Sequence, residues 1–262
     1  MGSGVVVSIV DEVVKAHHHG ADGRALADRV RLAAHPDLQG ILLPPKDSVP
    51  TAVGDRWVSV WPRGRPVEDD PATAPWAEAG GLLARLHRVD PSRLGRIPVA
   101  GTPARLARAI ARLPESPDAA TVLAAWRTVP PLEPGYHLVH GDWHLGQLVH
   151  YERRWLLIDV DDLGLGDPVW DLGRIAAGYA IGLIPQRGWE KFLAGYRAGR
   201  GPAVPRDEDP WPCLDPVARA FVVYTAATAL ANTALAADRP MDDVDRAMLA
   251  ACRRMTECEE TR

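Results

Sequence analysis

The chain has 262 residues, of which 47% are hydrophobic and 24% are charged, so it can bury a substantial core. Its formal net charge of -4, without any block of Lys or Arg, argues against nucleic acid as a partner. The three cysteines lack metal-ligand spacing, and their odd number fits a reducing compartment. The first ten residues lack the basic region and long apolar run of a signal peptide, so we expect a cytoplasmic protein.

The first sixty residues combine short β-rich runs with one helix. Four runs, each predicted as a strand, are residues 5–10, 13–17, 40–43 and 56–60. Asp11-Glu12 separates the first two runs and predicts a hairpin between them. The helix that follows the hairpin places Leu26, Val30 and Ala33 on one face. This part of the chain is therefore predicted to form a small, β-rich unit.

The rest of the chain is mostly helical in pattern. A segment rich in Pro and Gly, residues 61–66, predicts a linker, and two further apolar runs at 136–139 and 155–158 predict strands among the helices. The uncharged stretch from 220 to 237 is mostly Ala and Thr with an Asn inside, which favours a buried helix over a membrane span. We predict an α+β protein with two lobes, a β-rich lobe over residues 1–62 and a helical lobe over 63–262.

Polar clusters stand at the ends of the two later strands. The first is H-G-D-W-H-L-G-Q at residues 140–147, and the second is I-D-V-D at 158–161, followed by G-D-P-V-W-D-L at 166–172. Phosphoryl transfer needs an acceptor for the hydroxyl proton, oxygen ligands for magnesium and cations on the phosphates. Protein kinases supply these with H-R-D-x-x-x-x-N and a later Asp. His140, Asp142 and Gln147 have the same offsets here, with Asp159 as the later carboxylate.

These residues resemble the signature of the aminoglycoside phosphotransferase and choline kinase family, which is H-G-D-x-H-x-x-N followed by I-D-x-x-x-x-x-x-G-D-P-x-x-D-L. The chain departs from it at Gln147, a variant that resembles bacterial maltokinases. The resemblance implies a protein-kinase-like fold with ATP or GTP as donor. It also implies Asp142 as catalytic base, His144 near the transferring phosphate, and Gln147 and Asp159 as Mg²⁺ ligands. Asp171 is implied to be a buried acceptor that holds the catalytic loop.

The nucleotide side of the resemblance is less complete. Val13-Val14-Lys15 resembles the kinase strand whose lysine binds the phosphates. The helix after Lys15 has no Glu to pair with it, and Asp28 is the best substitute, with Asp22 behind it. Because only Met1-Gly2-Ser3-Gly4 precedes the first strand, the glycine-rich loop is predicted to be truncated or replaced, and the small lobe to be abbreviated.

Several polar residues have structural interpretations. Asp167 before Pro168 is typical of a helix N-cap, and His87 of a hydrogen-bonded residue at a helix end. The histidines at 17–19 are expected to be solvated rather than to bind metal.

Three interpretations of the function remain open at this point. The chain is predicted to be a kinase that phosphorylates a hydroxyl of an aminoglycoside, an amino sugar or a related metabolite, and antibiotic resistance is one such role. Family members also phosphorylate choline, homoserine and peptide antibiotics. A pseudokinase that only binds its ligand is the main alternative. A metal-dependent phosphoesterase, using the alternating His140, Asp142 and His144, is the other.

Overall fold

The computed structural model describes residues 4–68, 70–235 and 240–260. The strands are β1 (Val5–Ile9), β2 (Glu12–Ala16), β3 (Thr51–Val53), β4 (Arg56–Pro62), β5 (Arg65–Pro66), β6 (His137–Val139), β7 (Leu148–Tyr151), β8 (Arg154–Leu157) and β9 (Gly164–Gly166). The helices are α1 (Gly23–Ala33), α2 (Trp76–His87), α3 (Thr102–Ala111), α4 (Pro117–Arg127), α5 (Val169–Ala180), α6 (Gln186–Ala198), α7 (Trp211–Leu235) and α8 (Asp243–Glu260).

A four-stranded antiparallel sheet in the order β1-β2-β4-β3 forms the first part of the chain. The predicted hairpin is confirmed, with Val7 opposite Val14, and its turn falls at Val10 and Asp11. Strand β2 pairs next with β4, which places Lys15 opposite Ser59. Helix α1 follows, and its predicted apolar face is confirmed because Leu26, Val30 and Ala33 are buried.

The prediction of a regular strand at residues 40–43 is wrong. The Leu43 N–H donates to the Leu157 carbonyl at 2.8 Å, and the Leu157 N–H donates to the Ile41 carbonyl at 2.9 Å. These bonds tie the segment to β8, but Pro44 and Pro45 follow at once and have no N–H to extend a ladder. The sheet instead gains β3, which the sequence patterns did not indicate and which pairs with β4.

The predicted linker is the point where the sheet meets the catalytic part of the chain. Strand β4 ends at Pro62, and two residues later β5 pairs with β7 in a second sheet ordered β5-β7-β8. Gly64 lies so close to Val149 that a Cβ at Gly64 would stand 2.6 Å from the Val149 Cβ. A side chain at residue 64 would therefore push the strands apart. The division of the chain at residues 62 and 63 stays a prediction.

The helices form the larger part of the fold. Helix α2 packs along α6, and α7 packs against α5 on one side and against α8 on another. Within the described residues, α7 is the helix that is long and apolar enough to cross a membrane, by length and composition only. The surrounding helices nevertheless bury 61% of its most apolar window. This burial is typical of a core helix, as the sequence predicted.

Candidate active site

The catalytic loop, residues 140–147, is anchored by one carboxylate of α5. Asp171 accepts hydrogen bonds from the N–H groups of His140 at 2.6 Å and Gly141 at 2.8 Å. Its side chain is 1% exposed and also contacts the ring of His87 at 2.9 Å. The prediction that Asp171 is a buried acceptor for this loop is confirmed.

Two other polar residues have the structural roles that the sequence indicated. The second ring nitrogen of His87 lies 2.8 Å from the Tyr196 hydroxyl, so His87 is fully hydrogen-bonded inside the helical core. Asp167 accepts from the Val169 N–H at 2.9 Å, so the predicted capping hydrogen bond is present, but α5 begins one residue later than predicted, with Pro168 as its N-cap. Both residues therefore support the fold beside the loop.

The loop is also tied to the strand that carries the second acidic cluster. The Nε2 atom of His140 lies 2.7 Å from the Ile158 carbonyl, so this imidazole nitrogen is engaged within the protein, against the metal-hydrolase interpretation. Gly141 has a φ of +81°, and a Cβ there would stand 2.2 Å from the Asp162 carbonyl. Glycine at residue 141 is thus required both by the backbone and by the close approach of the two segments.

Asp142 is held by two arginines that the sequence analysis did not identify. Arg105 on α3 and Arg174 on α5 each place a guanidinium Nη2 atom 2.7 Å from Oδ1 of Asp142. Arg105 also reaches Asp162 at 3.0 Å. Burial opposes ionisation of Asp142, but Arg105 and Arg174 outweigh it, so the pKa of Asp142 lies below its usual range. The carboxylate is therefore ionised at neutral pH.

His144 caps the short turn that follows Asp142. Its Nδ1 accepts from the Gly146 N–H at 3.1 Å. Burial, and then the positive charge of Arg174, lower the pKa of His144. The imidazole is therefore uncharged at neutral pH. Its predicted position near a transferring phosphate stays a prediction.

Lys15 reaches across from the small sheet to the second acidic cluster. Its ammonium donates to Asp159 Oδ1 at 2.6 Å and lies 2.9 Å from Asp161 Oδ2. Burial of the ammonium disfavours its charge, but the two carboxylates outweigh burial and raise the pKa of Lys15. The predicted lysine and the predicted metal-binding carboxylate are therefore in direct contact.

Asp161 is a site residue that the sequence analysis missed. Besides Lys15, it contacts the ring of His17, whose Nδ1 lies 3.1 Å from Asp161 Oδ1. His17 is 1% exposed, and its Nε2 lies 2.8 Å from the Ser59 hydroxyl, which also accepts from the Trp61 indole. The available signal was the second acid in I-D-V-D, but only the fold shows that it faces Lys15. His17 is therefore buried and hydrogen-bonded rather than solvated, which corrects the expectation for it.

The predicted pairing of Asp28 with Lys15 is wrong. The Asp28 carboxylate lies 2.9 Å from Arg96 and 3.7 Å from Arg31. Because α1 turns this face toward the loop before α3, Asp28 serves the packing of that loop. Asp161 stands beside Lys15 instead. The Asp22 side chain accepts from the first N–H groups of α1 as its N-cap.

Gln147 and Asp159 are brought together by the backbone. The Ile158 N–H donates to the Gln147 carbonyl at 3.0 Å, immediately before Asp159 in the chain. Asp159 has a φ of +62°, a strained value for a residue other than glycine, and such strain is common at functional sites. Across the described ranges, no cluster of three or more His, Cys, Asp or Glu could hold a metal by itself. An amide and a carboxylate oxygen do suit Mg²⁺, which takes its remaining ligands from phosphates and water.

A cavity of about 140 Å³ opens next to Lys15, between the small sheet and the catalytic strands. Its walls are mainly apolar, with Val13, Trp61 and Val149 among them, and Lys15 and Asp159 also line it. An apolar slot with a cation and a carboxylate suits a flat base joined to phosphates. Residues 1–3, where the truncated glycine-rich loop was predicted, lie outside the described residues.

One family model matches the larger part of the chain. The sequence model of the phosphotransferase enzyme family (APH) matches residues 50–214, more than half of the chain, including both acidic clusters but not Lys15. No curated protein matches the sequence significantly.

Solved structures show the same fold. Choline kinase LicA from Streptococcus pneumoniae is 12% identical, with a TM-score of 0.64 over 98% of this chain and 90% of its own. A choline/ethanolamine kinase family protein from Mesorhizobium loti is 20% identical, with a TM-score of 0.58 over 99% and 87%. Amicoumacin kinase hAmiN, solved with AMP-PNP, Ca²⁺ and Ami, is 15% identical, with a TM-score of 0.61 over 98% and 88%. The predicted α+β kinase-like fold, with a small sheet and a larger helical part, is confirmed.

Proposed function

The chain belongs to the phosphotransferase enzyme family, and we propose that it moves the terminal phosphoryl group of ATP or GTP to a hydroxyl of a small molecule. That it is a phosphotransferase acting on a hydroxyl group follows from the family. The donor, the metal and the residue roles are the proposal.

One observation carries the proposal. Asp142 follows β6 and Asp159 follows β8, which lie in different sheets, and the contacts from His140 and Gln147 to Ile158 hold the two loops together. Lys15 contacts the second carboxylate at 2.6 Å. A base, a metal-binding carboxylate and a phosphate-binding cation in one place are the parts that phosphoryl transfer needs.

The donor site is proposed in the cavity beside Lys15. Its apolar walls would enclose the base, and the Lys15 ammonium would contact the phosphates. The complex of hAmiN with AMP-PNP supports a nucleoside triphosphate in a site of this fold. Gln147 and Asp159 would hold Mg²⁺, which neutralises phosphate charge when it is bound.

The proposed role of Asp142 follows from its contacts. Both arginines contact Oδ1, and no hydrogen bond from the described residues reaches Oδ2, which leaves that oxygen for an acceptor hydroxyl. The acceptor oxygen forms a bond to the γ-phosphorus as the bond to the bridging oxygen breaks. The hydroxyl proton passes to Asp142, and the nucleoside diphosphate leaves. A carboxylate of low pKa suffices, because the transition state of this reaction is loose and depends mainly on positioning.

Asp142→Asn tests this role. We expect turnover to fall about 10²–10⁴-fold, the usual contribution of a general base, while ATP affinity stays nearly unchanged. Asp162→Asn is the matched control, because Asp162 contacts the same Arg105 without holding the proposed base position. It should lower turnover far less. Near-full turnover in Asp142→Asn, or equal losses in both variants, would show that Asp142 is not the base.

Asp159→Ala tests the metal site. The variant should lose the dependence of nucleotide affinity on Mg²⁺, because the carboxylate that would hold the ion is gone. Calorimetric titration of ATP with and without Mg²⁺ measures this directly. Gln147→Asn should retain the dependence, since it keeps an amide oxygen. If Asp159→Ala shows the same Mg²⁺ dependence as the parent chain, the metal lies elsewhere.

A further inference from the structure

A polar cleft of about 170 Å³ lies between α5, α7 and the start of α8, beside the proposed base. Arg174 lines it and is also the residue that contacts Asp142 at 2.7 Å. On the other sides the cleft presents Thr228, Asn232 and Asp245. Arg174 thus links the cleft to Asp142, which does not itself line it.

Arg174 is held in place, and part of its guanidinium group makes no hydrogen bond within the described residues. One Nη atom contacts Asp142, and its guanidinium carbon lies 5.6 Å from the centre of the Phe221 ring. The Arg174 side chain is 37% exposed, and no hydrogen bond among the described residues uses its Nη1 atom, whereas its Nε atom is buried. A planar guanidinium with free donors binds carboxylate or phosphate oxygens in pairs. The cleft therefore has a ready anion-binding group at the edge facing the base.

The charges around the cleft do not suit a polycation. An acceptor with several ammonium groups needs several carboxylates, but in the described part of the chain Asp245 is the one carboxylate that lines the cleft. Of the other acids near α8, Asp243 is paired with Arg246 at 2.5 Å. The two guanidinium groups on Asp142 would also repel a cation brought to the base.

The small volume of the cleft also argues against a large acceptor. Ligand pockets for drug-sized molecules measure about 300–1,000 Å³, and this cleft is smaller. Hydroxyl and amide side chains such as Thr228 and Asn232 offer hydrogen bonds to a few hydroxyl or amino groups. A small, hydroxyl-bearing molecule fits both the volume and the lining.

We infer that the acceptor is a small hydroxylated acid whose carboxylate or phosphate binds Arg174 while its hydroxyl contacts Asp142. The inference rests on the proposed function, because it places the acceptor at the proposed base. Thr228, Asn232 and Asp245 would then bind the remaining polar groups of the acceptor.

Matched acceptor pairs test the inference. Glycerate and glycerol 3-phosphate are compared with glycerol, and homoserine with 3-amino-1-propanol, so that each pair differs mainly in the anionic group. The comparison of glycerate with glycerol 3-phosphate shows whether a carboxylate or a phosphate is preferred. We expect kcat/KM, or affinity by calorimetry where turnover is absent, to favour an acid over its partner at least about tenfold. Preference for the partners or for a polycationic aminoglycoside, or no binding of any acid, would overturn the inference.

Variants assign the preference to Arg174. Arg174→Gln should reduce the ratio between acid and partner about 10–100-fold, and Arg174→Lys should restore part of it. If Arg174→Gln acted only by disturbing Asp142, it would lower kcat/KM equally for the acid and for its partner. An unchanged ratio would therefore contradict the inference. Arg253→Gln is the matched control, because Arg253 pairs with Asp118 on the surface at 2.8 Å and lies outside the cleft.

The two proposals can fail separately. If the chain phosphorylates cationic acceptors and Asp142→Asn abolishes that turnover, the proposed function stands and only the acidic acceptor is wrong. If Asp142→Asn turns over as the parent chain does, the proposed base is wrong, whichever acceptor is preferred.

Discussion

The two halves of the active site are held by different kinds of contact. On the acceptor side, the catalytic loop is fixed by Asp171, whose side chain is 1% exposed and accepts two backbone hydrogen bonds. On the donor side, Lys15 is 13% exposed, and its partners Asp159 and Asp161 are 36% and 32% exposed. The loop is thus anchored inside the core, whereas the lysine lies at the edge of a cavity that water can reach.

This difference indicates which half can change partners. Buried hydrogen bonds to a carboxylate have no solvent to replace them, so the loop is expected to keep one geometry. The ion pairs of Lys15 are partly solvated, and phosphates can compete for the ammonium. If Asp159 binds the proposed metal ion, Asp161 would still contact Lys15. The rigid half carries the proposed base, and the adjustable half lines the cavity proposed for the nucleotide.

The largest effect is expected on the rigid side. Asp171→Ala leaves the His140 and Gly141 N–H groups and the His87 ring without their buried partner. We expect the free energy of unfolding to fall by about 3–5 kcal/mol, as for other broken buried pairs, and turnover to be lost. Urea unfolding followed by Trp fluorescence measures the first quantity.

Asp167→Ala is the control for this prediction. Asp167 is also an acid at the start of α5, but it accepts one backbone hydrogen bond and lies at a helix end. Its loss should lower the free energy of unfolding by about 1 kcal/mol. Equal destabilisation by the two substitutions would contradict the special role of the Asp171 anchor.

A smaller effect is expected at Lys15. Lys15→Ala should raise the KM for ATP about 10–100-fold, because a charged contact to the phosphates is lost. Lys15→Arg should restore only part of the affinity, since a planar fork does not replace a compact ammonium. Steady-state kinetics of the parent chain and of both Lys15 variants measure the KM for ATP. A normal KM in Lys15→Ala would place the phosphates away from this lysine.

The smallest effect is expected at Asp161. Asp161→Asn should raise the KM for ATP about threefold to tenfold if this carboxylate positions Lys15, which is the order of one partly exposed ion pair. Asp28→Asn is the matched control, because its carboxylate pairs with Arg96 and Arg31 instead. It should leave the KM unchanged, and a larger effect at Asp28 than at Asp161 would favour the pairing that the sequence first indicated.

The effect of Asp161→Asn on the free energy of unfolding is expected to depend on pH. Burial opposes ionisation of Asp161, but His17 and Lys15 outweigh it and hold the pKa of this carboxyl below its usual value of 3.8. Its contribution to the free energy of unfolding is therefore present above that value and is lost as the pH falls through the lower folded-state pKa. The difference in unfolding free energy between parent and Asp161→Asn should be steady from about pH 7 to 5 and shrink below about pH 4. A difference that persists at lower pH would mean that packing, not charge, produces it.

The sequence by itself determined most of the helices, the first hairpin and the catalytic motif, but not β3 or the irregular segment at 40–43. Apolar periodicity depends on local spacing, so the hairpin of β1 and β2, the buried face of α1 and the core helix α7 could all be predicted from it. Asp142 and Asp159 each follow an apolar run, which predicted polar groups at strand ends, and the resemblance of the two motifs to a kinase family implied that they form one site. The anchor at Asp171 was likewise implied by the resemblance, since it lies in the G-D-P-x-x-D-L part of the motif.

Only the tertiary structure decided which charges meet. Arg105 comes from α3 and His17 from the residue after β2, and neither is close in sequence to the acid that it contacts. Asp28 looked like the partner of Lys15 because it lies on the next helix, but the rotation of α1 turns it to Arg96. Contacts between long side chains depend on how whole elements pack, and a one-residue change in rotation or register gives them a new partner. Local pattern predicted most of the elements, whereas packing decides which charges surround Asp142 and Lys15.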